Sequence, residues 1–119
     1  MPYFPPATVS GDVFTTTSGT TQTVAKNQHY IANNASLVVY SLPSSSAVGD
    51  YFSVAGKGAG GWKIAQLASQ QIHFGANNTT VGTGGSLASN SIRDAVRLVC
   101  ITANLEWNVI FSVGSVVIT

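Results

Sequence analysis

The side chains best suited to proton transfer or metal ligation are few: His29 and His73, the acids Asp12, Asp50, Asp94 and Glu106, and the lone Cys100. Paired carboxylates for general acid–base work have little to draw on when the whole chain holds four acids. Asp50 follows Gly49 and Asp94 follows Arg93, each at the entry of a β-like run, so both are expected as turn or strand-entry residues. Two histidines without neighbouring acids make a poor metal site within one chain, although one histidine per chain could meet on the axis of a threefold oligomer. A single cysteine rules out an intrachain disulfide and a cysteine zinc site. Lying in Val99-Cys100-Ile101, it is expected as a buried, inert thiol. Serines are plentiful, but no G-x-S-x-G nucleophile elbow is present. No catalytic residue, metal ligand or cofactor-binding residue is predicted, and no cofactor.

Gly56-Lys57-Gly58-Ala59-Gly60-Gly61 matches G-x-G-x-x-G in form. A dinucleotide site also needs a helix after the glycines and an acid about 20 residues on, to hold the pyrophosphate and the ribose. Trp62-Lys63-Ile64 alternates like a strand and Asp94 lies too far along, so the glycines read as a turn. Large aromatics such as Tyr51, Trp62, Phe74 and Trp107 belong mostly to the core of a small β domain. One left exposed beside polar loops becomes a stacking platform for a sugar ring, and Trp62, next to the glycine turn, is the first candidate. Lys63 beside it, and Asn77 and Asn78 at the start of the polar loop Asn77–Ser86, complete the predicted ligand-binding set.

The elements that must position these residues are β-strands. His29–Ile31, Leu37–Leu42, Tyr51–Ala55, Trp62–Gln66, Gln71–Gly75, Ala95–Thr102 and Glu106–Val113 are β-like runs split by Gly, Pro and Asn. Shorter runs cover Thr21–Ala25 and Val116–Ile118. Alternation places Trp62 with Ile64 on one face, and Val96, Leu98 and Cys100 on one side with Arg97, Val99 and Ile101 on the other. It also predicts Trp107, Val109, Phe111 and Val113 on one side. A helix over 62–72 is disfavoured, because Trp62, Leu67 and Ile72 recur at five, not 3.6. Strand-like runs every eight to twelve residues predict an all-β fold, a small antiparallel β-sandwich or barrel. Residues 1–20, rich in Pro, Ser, Thr and Gly, read as an extended arm or linker before a single domain over 21–119.

Composition narrows the partners. The apolar fraction is an ordinary 45%, but charged residues make up only 8%, against about 25% in a typical soluble domain. A surface built from Ser, Thr, Asn, Gln and Gly can be covered by another subunit without desolvating many ions, which points to a homo-oligomer. Five dispersed cations and a net charge of +1 are not a nucleic-acid footprint. No apolar stretch is long enough to predict membrane insertion.

Several segments carry a family likeness in their order. They are Tyr30–Leu37, Leu42-Pro43, Ala47–Asp50, Val54–Gln66, Ile72–Gly75, Gly82–Leu87, Asp94–Cys100 and the aromatic strand Trp107–Ile110. Together these span about four fifths of the chain, and the whole resembles the distal module of bacteriophage tail fibres and related injection-apparatus fibres. That resemblance implies a homotrimer on a threefold axis, carried on a virion and recognising a glycan or protein of the host cell surface. It assigns no binding residue. The expected function is non-enzymatic attachment. The alternative is a purely structural trimerisation tip, or a capsid or tail decoration protein.

Overall fold

The computed structural model describes residues 13–119, and every described strand belongs to one of two mixed sheets. The larger contains β1 (Val13–Thr17), β3 (Gln28–Ala32), β5 (Tyr51–Gly56), β7 (Gln71–Phe74), β8 (Asn77–Asn78), β10 (Ala95–Thr102) and β11 (Glu106–Val113). Their order across the sheet is β1-β3-β5-β10-β11-β7-β8. The smaller contains β2 (Thr21–Thr23), β4 (Val38–Ser41), β6 (Trp62–Ala65), β9 (Ser86–Ala88) and β12 (Val117–Ile118), in the order β12-β9-β6-β4-β2. The all-β class is as expected, and no helix occurs among the described residues.

The expected antiparallel pairing is corrected. Through β6 the chain winds as a coil, laying each strand in the sheet opposite its predecessor. Each strand therefore returns beside, and parallel to, the strand two before it. Val13 faces Gln28, Gln28 faces Phe52, Thr21 faces Val39 and Val38 faces Trp62. A parallel pair needs a crossover of a dozen or more residues, commonly a helix; here the crossover is a strand of the other sheet. Antiparallel pairing begins with β8 against β7 and β9 against β6, and continues where β10 joins β5 and turns back into β11. Successive turns of the coil differ in length, so it leaves no fixed sequence period. Residues 13–20, assigned from sequence to the arm, include β1, which is paired to β3 throughout its length. The remainder of the predicted arm lies outside the described residues.

Alternation fixes what is buried. Tyr30, Phe52, Val54, Ile72, Val96, Leu98 and Trp107 of the larger sheet share one core with Val38, Tyr40, Trp62, Ile64 and Leu87 of the smaller. Tyr30 meets Tyr40 across it at 5.3 Å between ring centroids, and Phe52 meets Trp107 edge-on at the same distance. One face assignment is corrected. The register slips between Arg97 and Leu98, so Val109 pairs with inward Leu98 while Phe111 pairs with outward Arg97. The bulge absorbs one extra residue and turns Phe111 and Val113 away from the core.

The glycine turn seals neighbouring turns of the coil. Lys57 and Gly58 both donate their amide N–H to the Ala32 carbonyl, and Gly60 donates to that of Asn34. A Cβ on Gly60 would stand 2.0 Å from the Ser36 carbonyl, and one on Gly58 2.3 Å from the Asn34 nitrogen. These obstacles are backbone and cannot rotate away. Gly60→Ala is therefore expected to destabilise by about 3 kcal/mol, whereas Gly84→Ala, with open space at its Cβ, is expected to stay within about 0.5 kcal/mol. Urea unfolding of the two variants checks both. Gly58 and Gly60 serve close backbone approach.

Candidate binding surface

On β6 the alternation that buries Ile64 also buries Trp62, which has no exposed surface. Its indole N–H donates to the Asp94 carbonyl at 2.8 Å, and its backbone N–H donates to the Ser89 hydroxyl. Trp62 as a stacking platform is thus corrected: the ring is fully enclosed in the core. Lys63, half-buried, lies on the opposite face of β6, between Val39 and Ala88 of the smaller sheet. Asn77 and Asn78 are exposed on β8, at the edge of the larger sheet. The four residues therefore do not converge on one site, and the two asparagines alone stay with the polar loop.

What sequence reading missed is the support beneath that loop. Gln66 is buried, and its amide nitrogen lies within 2.9 Å of the carbonyls of Gln70, Thr80 and Gly82. Its side-chain oxygen accepts the hydroxyl of buried Thr79, which in turn accepts the Ile72 N–H at 2.9 Å. Gln70, also buried, accepts the Leu67 N–H and donates to the Pro43 carbonyl at 2.8 Å. Thr119 accepts from both Thr80 and Ser86, closing the far side. Gly85 leaves room for all this, since a Cβ there would meet the Thr80 carbonyl at 2.0 Å. The signal in the sequence was Gln66 itself, a polar side chain on the core-facing register of Trp62 and Ile64. Above this base Asn77, Asn78, Thr80, Val81, Thr83 and Gly84 are exposed. The result is a fixed rim of amides, hydroxyls and peptide groups suited to hydrogen-bonding a hydroxyl-rich ligand.

The same edge holds an acid–base pair. His73 Nδ1 lies 2.5 Å from Asn78 Oδ1 and Nε2 2.7 Å from Glu106 Oε2, and the ring donates to both only when it is protonated. Glu106 also accepts the Thr102 hydroxyl at 2.7 Å. The hydrogen bond to Asn78, then that to Glu106, holds the His73 pKa above its ordinary value. The bond to His73, then that to Thr102, holds Glu106 below its own. Proton linkage sets the signs. The His73 contribution is complete below the unfolded value of about 6.5 and is lost as pH rises through the higher folded value. The Glu106 contribution is present above its unfolded value and is lost as pH falls through the lower folded one. The clamp of β7 and β8 onto β11 is therefore expected to be strongest in mildly acidic solution. Amide exchange at Thr79 and Asn108 followed against pH is expected to be slowest there, after correction for intrinsic exchange, and His73→Gln is expected to flatten that dependence.

The remaining candidates are held in structural roles. His29 contacts the Ser53 hydroxyl at 2.6 Å and packs against Phe14, and β5, β10 and β11 separate its strand from that of His73. Asp50 accepts the Ala47 N–H in a turn, and Asp94 accepts those of Asn90 and Ser91. Cys100 is buried, with its sulfur 3.3 Å from the Ser46 hydroxyl. Among the described residues no three His, Cys, Asp or Glu side chains cluster as a metal site, and no enclosed pocket is present. No family model matches the chain, and no curated protein matches it in sequence.

Proposed function

We propose that this chain is a non-enzymatic attachment module: the distal part of a viral or virus-like fibre, a β-sandwich assembled as a homotrimer and displayed on a virion. Its partner is a receptor on the host cell surface, a glycan by preference. The observation that carries this reading is the exposed polar rim 77–84 fixed from beneath by buried Gln66, Gln70 and Thr79. A rim already ordered loses little conformational entropy on binding, so weak hydrogen bonds to sugar hydroxyls are not spent on ordering the loop. Three copies per fibre then multiply weak sites into useful avidity. A glycan array and an adsorption-competition assay test this. Binding by the unaltered protein, lost in Asn77→Ala/Thr83→Ala with the assembly intact, is the expected result. No array signal and no competition would overturn it.

The second reading is a purely structural trimerisation tip or decoration protein. It is favoured by the apolar outward face of the larger sheet, which needs no ligand to account for it. On that reading the double substitution changes neither assembly nor adsorption.

A further inference from the structure

The larger sheet carries large apolar side chains on its outward side as well as its inward one. On β10, Val96, Leu98 and Cys100 point into the core, while Ala95, Val99 and Ile101 point out. Outward registers run continuously across five strands: Phe14 faces His29, His29 faces Ser53, Ser53 faces Arg97 and Arg97 faces Phe111. The next register joins Ile31, Ala55, Ala95 and Val113. Phe14 is 72% exposed, Phe111 59% and Val113 49%. Strands apolar on both faces, and parallel pairs such as β1-β3-β5, belong to sheets covered on both sides. Here the described residues cover one side only.

We infer that this outward face, centred on Arg97 between Tyr51 and Phe111, is where copies of the chain meet. The inference rests on the homotrimer reading and adds the surface. Three observations favour a second copy over a glycan or an unrelated charged protein. First, the centre of the face carries one charge, Arg97, whose guanidinium sits 4.7 Å from the Tyr51 ring centroid, where the aromatic face lowers the cost of excluding water. Second, the chain as a whole carries so few charges that two copies approach without strong repulsion or heavy ion desolvation. Third, five strands about 4.8 Å apart, over about 20 Å of strand length, give a footprint on the order of 500 Å² per copy. Doubled across a contact, that reaches the roughly 1,000 Å² at which specific interfaces begin. The face is thus large enough and low enough in charge for a subunit contact, with its Ser53 hydroxyl already engaged by His29 and Arg97 laid over Tyr51.

Light scattering of the full chain and of Phe111→Glu at equal concentration tests the assignment, with circular dichroism to follow the fold. Phe14→Glu, at the other end of the same register, is the second variant should Phe111→Glu not fold. Lys63→Glu, on the other sheet, is the control. The expected result is a fall from three chains to one in either face variant, an unchanged spectrum, and no change in the control. A face variant that folds and remains at three chains would overturn the surface assignment and leave the trimer standing. An unaltered chain found as a single copy would overturn the trimer, and this inference with it.

Discussion

Trp62→Ala is expected to cost about 3–5 kcal/mol, a large share of the roughly 5–15 kcal/mol by which a domain of this size is stable. The indole fills the core between the sheets without exposed surface, and its removal leaves a cavity that neighbouring strands cannot close. It also removes one of the two donors to the Asp94 carbonyl, which keeps the Gly56 N–H at 3.2 Å, in the turn that launches β10. Trp62→Phe isolates that second contribution: it keeps most of the apolar volume but loses one of the two hydrogen bonds to the Asp94 carbonyl, at a cost of about 0.5–1.5 kcal/mol. The matching change at Trp107 makes an internal control. The Trp107 N–H is buried with no hydrogen-bond partner among the described residues, so Trp107→Phe forfeits packing and no hydrogen bond seen among them. Urea unfolding at one fixed protein concentration is expected to rank Trp62→Ala as the most destabilised and Trp107→Phe as milder than Trp62→Phe. Equal midpoints for the two phenylalanine variants would show that the Trp62–Asp94 bond contributes nothing.

Gln66→Ala is expected to release the rim and to cost about 3 kcal/mol or more. One side chain serves the carbonyls of Gln70, Thr80 and Gly82 and accepts from Thr79, so its loss removes four hydrogen bonds at once, although the Gln70 and Gly82 carbonyls keep the Gly82 and Gly85 N–H groups. The damage is expected to concentrate locally, because most of the core lies away from this network. Hydrogen exchange is the discriminating measurement. Amides of Thr79, Thr80 and Gly82 are expected to lose protection by on the order of a hundredfold, while those of β5 and β10 change much less. Uniform loss of protection over the whole chain would mean that the network is a global core element and not a local support for the rim.

The strands were largely legible, for a physical reason. Where one side of a strand faces a core, burial writes a period of two into the sequence, and Tyr51–Ala55, Trp62–Gln66 and Ala95–Thr102 carry it clearly. Direction and partner are a different matter. An inward Ile64 is the same residue whether β6 lies parallel or antiparallel to β4, so the coiled course of the first six strands left no trace in the alternation. Unequal turn lengths removed the periodic repeat that usually betrays such a course. Phe111 shows a second limit. A single bulge inverts the face of everything beyond it, and nothing in Val109-Ile110-Phe111 announces the bulge. β1, β8 and β9 were missed because edge positions and short pairings place little demand on hydrophobicity.

The candidate site was legible only at its rim. Asn77 and Asn78 stood out by composition, since a polar, glycine-rich loop has few other uses. Trp62 was misplaced because adjacency to a glycine turn suggested exposure, when the turn is where the backbone packs most closely. Gln66 and Gln70 went unrecognised because buried amides have no spacing signature. They are fixed by where loop carbonyls fall in three dimensions. The two features that bear on the proposal, a supported polar rim and a sheet face that the described residues leave uncovered, both emerge from how the sheets are assembled.

The most direct test of this account is the solution mass of the unaltered chain by size-exclusion chromatography with light scattering. The account predicts three times the 12.3 kDa of one chain, stable on dilution through the micromolar range. A mass of one chain across that range would contradict the trimeric fibre module and leave a small monomeric binding domain in its place.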